Sequence, residues 1–281
     1  MDQQKQQSRA QGRQEDRRET PGIVGPESNA PGLVILTGAG ISRESGLATF
    51  RDPDGLWAKV RVEDVATPQA FARDPARVQA FYDARRVQLR DPAIQPNAAH
   101  HALAHLAREH PGPVHVITQN VDDLHERAGQ SRLLHMHGEL AKAQCLNCNE
   151  VSPFERAGLA DASCPACSAK ALRPHVVWFG EMPLHMDEIE CWLTSSCNLF
   201  VAVGTSGQVY PAAGFAETAR AHGARTLELN LEPTELTRSF DEARHGPATE
   251  VVPAWVEEVI RFHVTLAIDG AGRYSGDTRL R

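Results

Sequence analysis

Four short apolar runs in this chain each break off at glycine or small polar residues: GLVILTGAG (32–40), VHVITQN (114–120), LFVAVGTS (199–206) and RTLELN (225–230). Short runs bounded in this way are the pattern of strands buried on both faces. Helical stretches lie between them; residues 97–110 are one, with Asn97 placed to cap the first turn and Pro111-Gly112 to stop the last. Strands alternating with helices imply an α/β fold, a Rossmann-like parallel sheet with helices on both faces. Ligands of such sheets gather beyond the carboxyl ends of the strands, where each of these runs turns polar.

Two stretches break the alternation. Residues 55–96 read as helices interrupted by proline, and residues 139–180 hold two CxxC pairs. Together they are expected to form a small module, a helical insertion plus a zinc ribbon, leaving 31–54, 97–138 and 181–266 as the large domain. Residues 1–30 and 267–281 are polar, mixed in charge and expected to be disordered tails.

The chain of 281 residues is 41% hydrophobic, enough for a sizeable core, and its formal charge of -7 argues against a general polyanion binder, so direct nucleic-acid binding is not expected. No apolar run approaches the roughly 18 residues of a membrane span, and the first residues lack the apolar centre of a secretory signal. All six cysteines lie in the second half, and four of them are Cys145, Cys148, Cys164 and Cys167. Without a secretion signal, such pairs point to metal rather than disulfides, and to a reducing cytoplasm.

Two CxxC pairs separated by 15 residues form a zinc-ribbon pattern. Four thiolates saturate Zn²⁺ and leave no position for water, so the metal is structural; a redox dithiol and an iron–sulfur site are the alternatives. His135 and His137 lie just upstream, in LLHMHGEL. With four sulfurs present, zinc needs neither. His135 reads as an ordinary strand residue, whereas His137, before Gly138, is placed where a side chain can face a cleft.

The first run opens into GAGISRESG. Gly38 and Gly40 permit a tight turn and a close approach of phosphate to backbone N–H groups, with Ser42 as a further donor. Arg43 occupies the place of the third glycine of the usual dinucleotide fingerprint, and no acid for a ribose stands at the usual distance. A nucleotide loop and a plain strand-to-helix turn both fit.

DPARVQAFYDARRVQL reads as a helix capped by Asp74 with Pro75 in its first turn. Val78, Phe81, Tyr82 and Leu89 mark its buried face, and Arg85 falls on that face too. A buried guanidinium needs a partner, which is either a structural acid or a ligand.

Taken in order, GAGIS…SG…FR, TQNVDDLH, HMHGEL, the two CxxC pairs and VVWFGE resemble the sirtuins, NAD-dependent protein lysine deacylases, over residues 30–262. Arg43 and Ala48 depart from the family's usual alanine and proline. The resemblance implies NAD as co-substrate along the strand ends of the large domain and one structural Zn²⁺. Gly38, Ala39, Gly40, Ile41 and Ser42 would hold the phosphates, with Phe50 and Arg51 on the loop that follows. Gln119, Asn120, Val121 and Asp122 would surround the nicotinamide and its ribose. Gly204, Thr205 and Ser206, then Asn230, Leu231, Glu232 and Ala248, would meet the adenosine half. His137 would be the general base, with Asn120 and Asp122 as further catalytic groups. Val176, Val177, Trp178, Phe179, Gly180 and Glu181 resemble the edge strand that pairs with an extended acyl-lysine peptide. Tyr82 and Arg85 match the Tyr-x-x-Arg of class III members, which implies a preference for succinyl or malonyl lysine over acetyl lysine. A plain deacetylase, an ADP-ribosyltransferase of the same family, a hydride-transferring dehydrogenase and a non-catalytic zinc-ribbon module are the competing functions.

Overall fold

The computed structural model describes residues 30–47 and 60–268, with side chains to residue 262. Ala48, Phe50, Arg51 and, apart from residues 30, 267 and 268, both tails lie outside the described residues. Strand β1 (Leu33–Thr37) opens a six-stranded sheet that also contains β2 (Val114–Thr118), β3 (Leu133–His135), β7 (Leu199–Val203), β8 (Arg225–Asn230) and β9 (Glu242–His245). Their order is β3-β2-β1-β7-β8-β9, and every pairing is parallel. Strands β4 (Gly138–Cys145), β5 (Val151–Pro153) and β6 (Leu172–Val176) make a second, antiparallel sheet in the order β5-β4-β6.

Side chains on β1 alternate between two separate cores, as the twofold period of a strand requires. Leu33 and Ile35 join Leu103, Leu106, Val116 and Trp255 on one face. Val34 and Leu36 join Ile117, Phe200, Phe215 and Ile189 on the other. The first face is covered by helices α4 (Ala98–Glu109) and α8 (Ala248–Ile268), the second by α6 (Met186–Cys191) and α7 (Phe215–Ala221). The parallel sheet covered on both faces is therefore the one the alternation implied. Asn97 caps α4 through Oδ1, and His100 completes a reciprocal cap.

Helices α1 (Val62–Val65), α2 (Pro68–Arg73) and α3 (Pro75–Leu89) pack around a third core with Leu140, Val176 and Trp178. Asp74 caps α3 by accepting from the Arg77 N–H, with Pro75 in the first turn. A fourth, small core lies around Cys145, Phe154, Leu159, Cys164 and Leu172. The short helix α5 (Leu124–Arg127) follows β2. No described helix is long and apolar enough to cross a membrane.

Candidate active site

The carboxyl ends of β1, β2, β7 and β8 open into a cleft of about 1020 Å³ whose far wall is α3 and the segment after β6. It brings together most of the residues singled out by motif: Gly38, Ala39, Gly40 and Ser42 from the first turn, Gln119 to Asp122 from the second, Gly204 to Ser206 from the third, and Asn230, Leu231, Glu232 and Ala248 beyond them. Tyr82, Arg85 and the whole of Val176 to Glu181 line the opposite side, and His137 lies among them. Ile41 is the exception, since its side chain is fully buried in the first core.

The glycines of the first turn lie against the loop that follows β7. The N–H groups of Gly38 and Gly40 donate to the Val203 and Gly204 carbonyls at 3.0 and 2.9 Å, and are not left for a ligand. A Cβ on Gly40 would come within 2.7 Å of the Gly204 Cα, so these residues are small because two strand-end loops press together. Those two N–H groups are therefore engaged within the protein.

Polar side chains behind this turn are tied to one another. Asn120, which is buried, donates through Nδ2 to the Gly38 carbonyl (3.1 Å) and to Ser42 Oγ (3.2 Å). The Ser42 hydroxyl donates to Asp122 Oδ2 at 3.1 Å. Burial pushes the Asp122 carboxyl up to about 6, against the opposing hydrogen bonds from the Leu124 N–H and Ser42. A long cleft with a buried carboxylate and amide at one end, and the polar ends of β7 and β8 at the other, fits an elongated polar ligand such as a dinucleotide.

His137 occupies the turn between β3 and β4, where Gly138 takes a φ of +78°. A side chain at Gly138 would lie 2.2 Å from the His175 carbonyl, so glycine is required there on two counts. The Nδ1–H of His137 donates to the Gln119 carbonyl at 3.1 Å, which fixes the tautomer and leaves Nε2 with a lone pair. Burial lowers its pKa below the ordinary imidazole value, with the Gln119 bond opposing. The ring is therefore a neutral acceptor at neutral pH. His135 is buried outside the cleft lining, with Nδ1 3.1 Å from the Asn120 carbonyl and Nε2 2.6 Å from Glu126 Oε1.

The four cysteine sulfurs lie within 4.8 Å of one another, and among the described residues no histidine nitrogen joins that group. Cys145 and Cys167 sulfurs are 3.7 Å apart, as are those of Cys148 and Cys164. A tetrahedral zinc with bonds of about 2.3 Å separates its sulfurs by about 3.8 Å, so the set fits the metal. Both pairs are built alike: the N–H of Asn149 donates to the Cys145 carbonyl, and that of Ser168 to the Cys164 carbonyl, each at 2.9 Å. Asn149 and Ser168 both take the left-handed conformation that closes such a turn.

The segment expected as an edge strand is one only at its start. Val176 ends β6, which is an edge of the small sheet. Beyond it the chain turns: the N–H groups of Val177, Trp178 and Phe179 donate to the His137 carbonyl, Glu181 Oε2 and the Ala66 carbonyl. The chain folds back because Arg173 grips the Glu181 carboxylate with two nitrogens, at 2.6 and 2.9 Å, and stacks 3.6 Å from the centre of the Trp178 ring. Glu181 is thus held within the protein. Arg173 was not singled out by sequence, although an arginine three residues before a strand end is the kind of group that bonds locally.

On α3, Tyr82 is buried and its hydroxyl accepts from Trp178 Nε1 at 3.0 Å. Burial raises its pKa, so the phenol keeps its proton as a donor. Arg85 is half-buried over the Phe81 ring at 5.3 Å, and its buried Nε has no hydrogen-bond partner. Burial lowers its pKa. No acid pairs with it among the described residues. The deeply buried arginine is its neighbour Arg86, which donates to the Leu140 carbonyl at 2.9 Å and pairs with Asp83 at 2.5 Å.

The Sir2 family profile matches residues 38–211. An Escherichia coli (strain K12) protein named NAD-dependent protein deacylase is 53% identical over 240 residues, which is 85% of this chain and 86% of that protein. A solved Sir2 homologue–NAD complex aligns with a TM-score of 0.75 and 40% identity, covering 83% of this chain and 91% of the other. Sir2Af2 bound to a myristoylated histone peptide aligns with a TM-score of 0.65 and 34% identity, covering 84% and 94%.

Proposed function

This chain belongs to the Sir2 family, and from that premise we propose that it removes acyl groups from protein lysine with consumption of NAD, and that it favours acidic acyl groups. The observation that carries the first part is His137: a neutral imidazole, its tautomer fixed by the Gln119 carbonyl, facing a cleft that also holds Asn120, Asp122 and the strand-end segments. NAD, when bound, would supply an activated ribose: its bond to nicotinamide breaks, one water is consumed, and the acyl group ends on a ribose hydroxyl as the lysine amine is released. Strand-end residues Gly204 to Ser206 and Asn230 to Glu232 would hold its adenosine half, with Ser42, Asn120 and Asp122 at the other end. His137 Nε2 takes a proton from a hydroxyl group in that cleft. The peptide would lie beside Val176 and the turn to Gly180, a main-chain mode that reads side chains loosely. The catalytic sheet would form one lobe, and the helical and zinc elements the other. Four reduced cysteines in one tetrahedral group support a reducing compartment.

Acid preference rests on Arg85. A guanidinium nitrogen buried without a partner beside the Tyr82 phenol is complementary to a terminal carboxylate, whereas an acetyl group would leave it unsatisfied. Leaving a buried charge unpaired costs about 2–5 kcal/mol. Arg85 is partly open to water, so the lower figure applies, and succinyl over acetyl lysine should gain about 30-fold in kcat/KM. A panel of acylated lysine peptides read by mass spectrometry measures that ratio. Arg85→Met should bring it near unity while sparing deacetylation. Equal rates on both acyl groups in the parent, or undiminished desuccinylation in Arg85→Met, would remove the assignment. Tyr82→Phe is the poorer test, because it also strands the Trp178 N–H.

The pH profile should carry the same signature. His137 must be neutral to accept a proton, so kcat/KM should fall as pH drops through a value below the ordinary imidazole 6.5. Asp122, at about 6, gains a proton in the same region. The acid limb should therefore be steeper than one proton. A limb of unit slope centred above 6.5 would contradict both placements.

A further inference from the structure

Two imidazoles hang from consecutive carbonyl groups of one loop: His137 from Gln119 and His135 from Asn120. They differ at the second nitrogen. His137 Nε2 faces the cleft, but His135 Nε2 lies 2.6 Å from Glu126 Oε1. With an acceptor at each nitrogen, the His135 ring is satisfied only when both carry protons, as an imidazolium.

Glu126 sits on α5, directly after the loop. Its neighbour His125, fully buried, reaches from the same helix to Thr37 Oγ1 at the end of β1 (3.0 Å). The loop is thus held between two strand ends, by a neutral histidine on one side and an ion pair on the other.

We propose that the Glu126–His135 pair is a positioning device for the reaction: it clamps the main-chain carbonyl of Asn120, and through the adjoining peptide sets the Gln119 carbonyl that orients His137. His135 touches neither the cleft nor its contents, so it acts only through the loop. This rests on the reading of His137 as the base.

The clamp has a charge requirement. Glu126 and Glu139 each bring a carboxylate oxygen within 4.8 Å of the His135 ring nitrogen. Lys142 pairs with Glu139 at 2.5 Å. Asp122 faces the ring from the loop, and His125 faces it from α5 with its pKa held well below 6.5 by burial. Burial disfavours the His135 charge, yet the bond and charge of Glu126 outweigh it and the pKa is raised; Glu126 is lowered in turn. The clamp is therefore intact between the lowered Glu126 pKa and the raised His135 pKa: it is lost as pH falls through the first, when the carboxylate is protonated, and as pH rises through the second, when the ring gives up its proton.

Nitrogen-15 NMR of the histidine rings in the full chain tests the first half. The parent should show His135 doubly protonated at neutral pH, titrating above the usual imidazole range. Glu126→Gln should lower that midpoint by about one unit or more, as loss of an opposite charge at this range does. Glu126 is on the surface, so the variant should fold. The alkaline limb of kcat should move down with the ring, and kcat above it should fall on the order of tenfold, with KM for NAD and peptide nearly unchanged. A His135 ring that is neutral at neutral pH in the parent overturns the proposal. So does an alkaline limb that stays fixed while the ring titration moves. A parent without NAD-dependent activity would instead sink the deacylase reading, and the ring titration would still decide the pair.

Discussion

Replacing His137 with alanine should lower turnover by about 10²–10⁴-fold, the usual contribution of one positioned general base. The loss should fall on kcat and not on peptide affinity, because among the described residues the ring bonds only to the Gln119 carbonyl and anchors no other side chain. Burial holds the ring neutral, and the Nδ1–H bond leaves Nε2 as the single basic site, so no neighbouring group replaces it. His135 cannot substitute, since both of its nitrogens are engaged behind the loop. Steady-state rates of nicotinamide release and lysine deacylation in the variant measure the effect. The fold should persist, because the turn depends on Gly138 and on the Val177 N–H bond to the His137 carbonyl, both of which alanine retains. Turnover within a few-fold of the parent would remove His137 from the chemistry.

Stripping the metal should abolish activity without touching a catalytic group. Structural zinc contributes about 10–16 kcal/mol in small peptides, as much as the roughly 5–15 kcal/mol that holds a typical domain together. The core beside the cysteines consists of a handful of side chains around Phe154, Leu159 and Leu172, too few to hold β4, β5 and β6 in place. Those strands do not end at the metal. Gly138 of β4 pairs with Val176 of β6, and the Val177 N–H binds the His137 carbonyl at 2.9 Å. Loss of the ion should therefore loosen the base and the peptide wall together. Chelated protein, or Cys164→Ser, should show fast amide exchange through residues 138–176, protected amides in β1, β2 and β7, and no turnover. Zinc should restore the chelated sample and not the variant. A metal-free protein that kept both protection and activity would make the cysteines dispensable.

The sheet was legible because its central strands are buried on both faces and so must be continuously apolar; β1, β2 and β7 stand where their runs do. Strand β9 was not, because its residues Glu242 to His245 lie at the edge, partly exposed, and carry no apolar pattern. The caps at Asn97 and Asp74 followed from residue type and the next proline or helix former. The arginines of α3 misled for a physical reason. That helix packs on two sides, against Trp178 and against Phe154, so a single apolar stripe does not mark its buried surface, and Arg86 lies deeper than Arg85. The turn from Val177 to Glu181 was hidden as well, since it depends on Arg173 reaching across the end of β6. Motif order brought the cleft residues together, but the duty of Gly38 and Gly40 to fit against Gly204 is a contact between residues 166 and 164 positions apart, and no local spacing encodes it.

One measurement bears most directly on the claim that a neutral His137 drives acyl transfer from lysine to the sugar of a consumed dinucleotide. Purified protein is mixed with NAD and a succinyl-lysine peptide, and all products are counted by mass spectrometry. Each lysine freed should be matched by one nicotinamide and one ADP-ribose carrying the succinyl group. Lysine freed while NAD stays intact, or NAD converted to NADH, would contradict it.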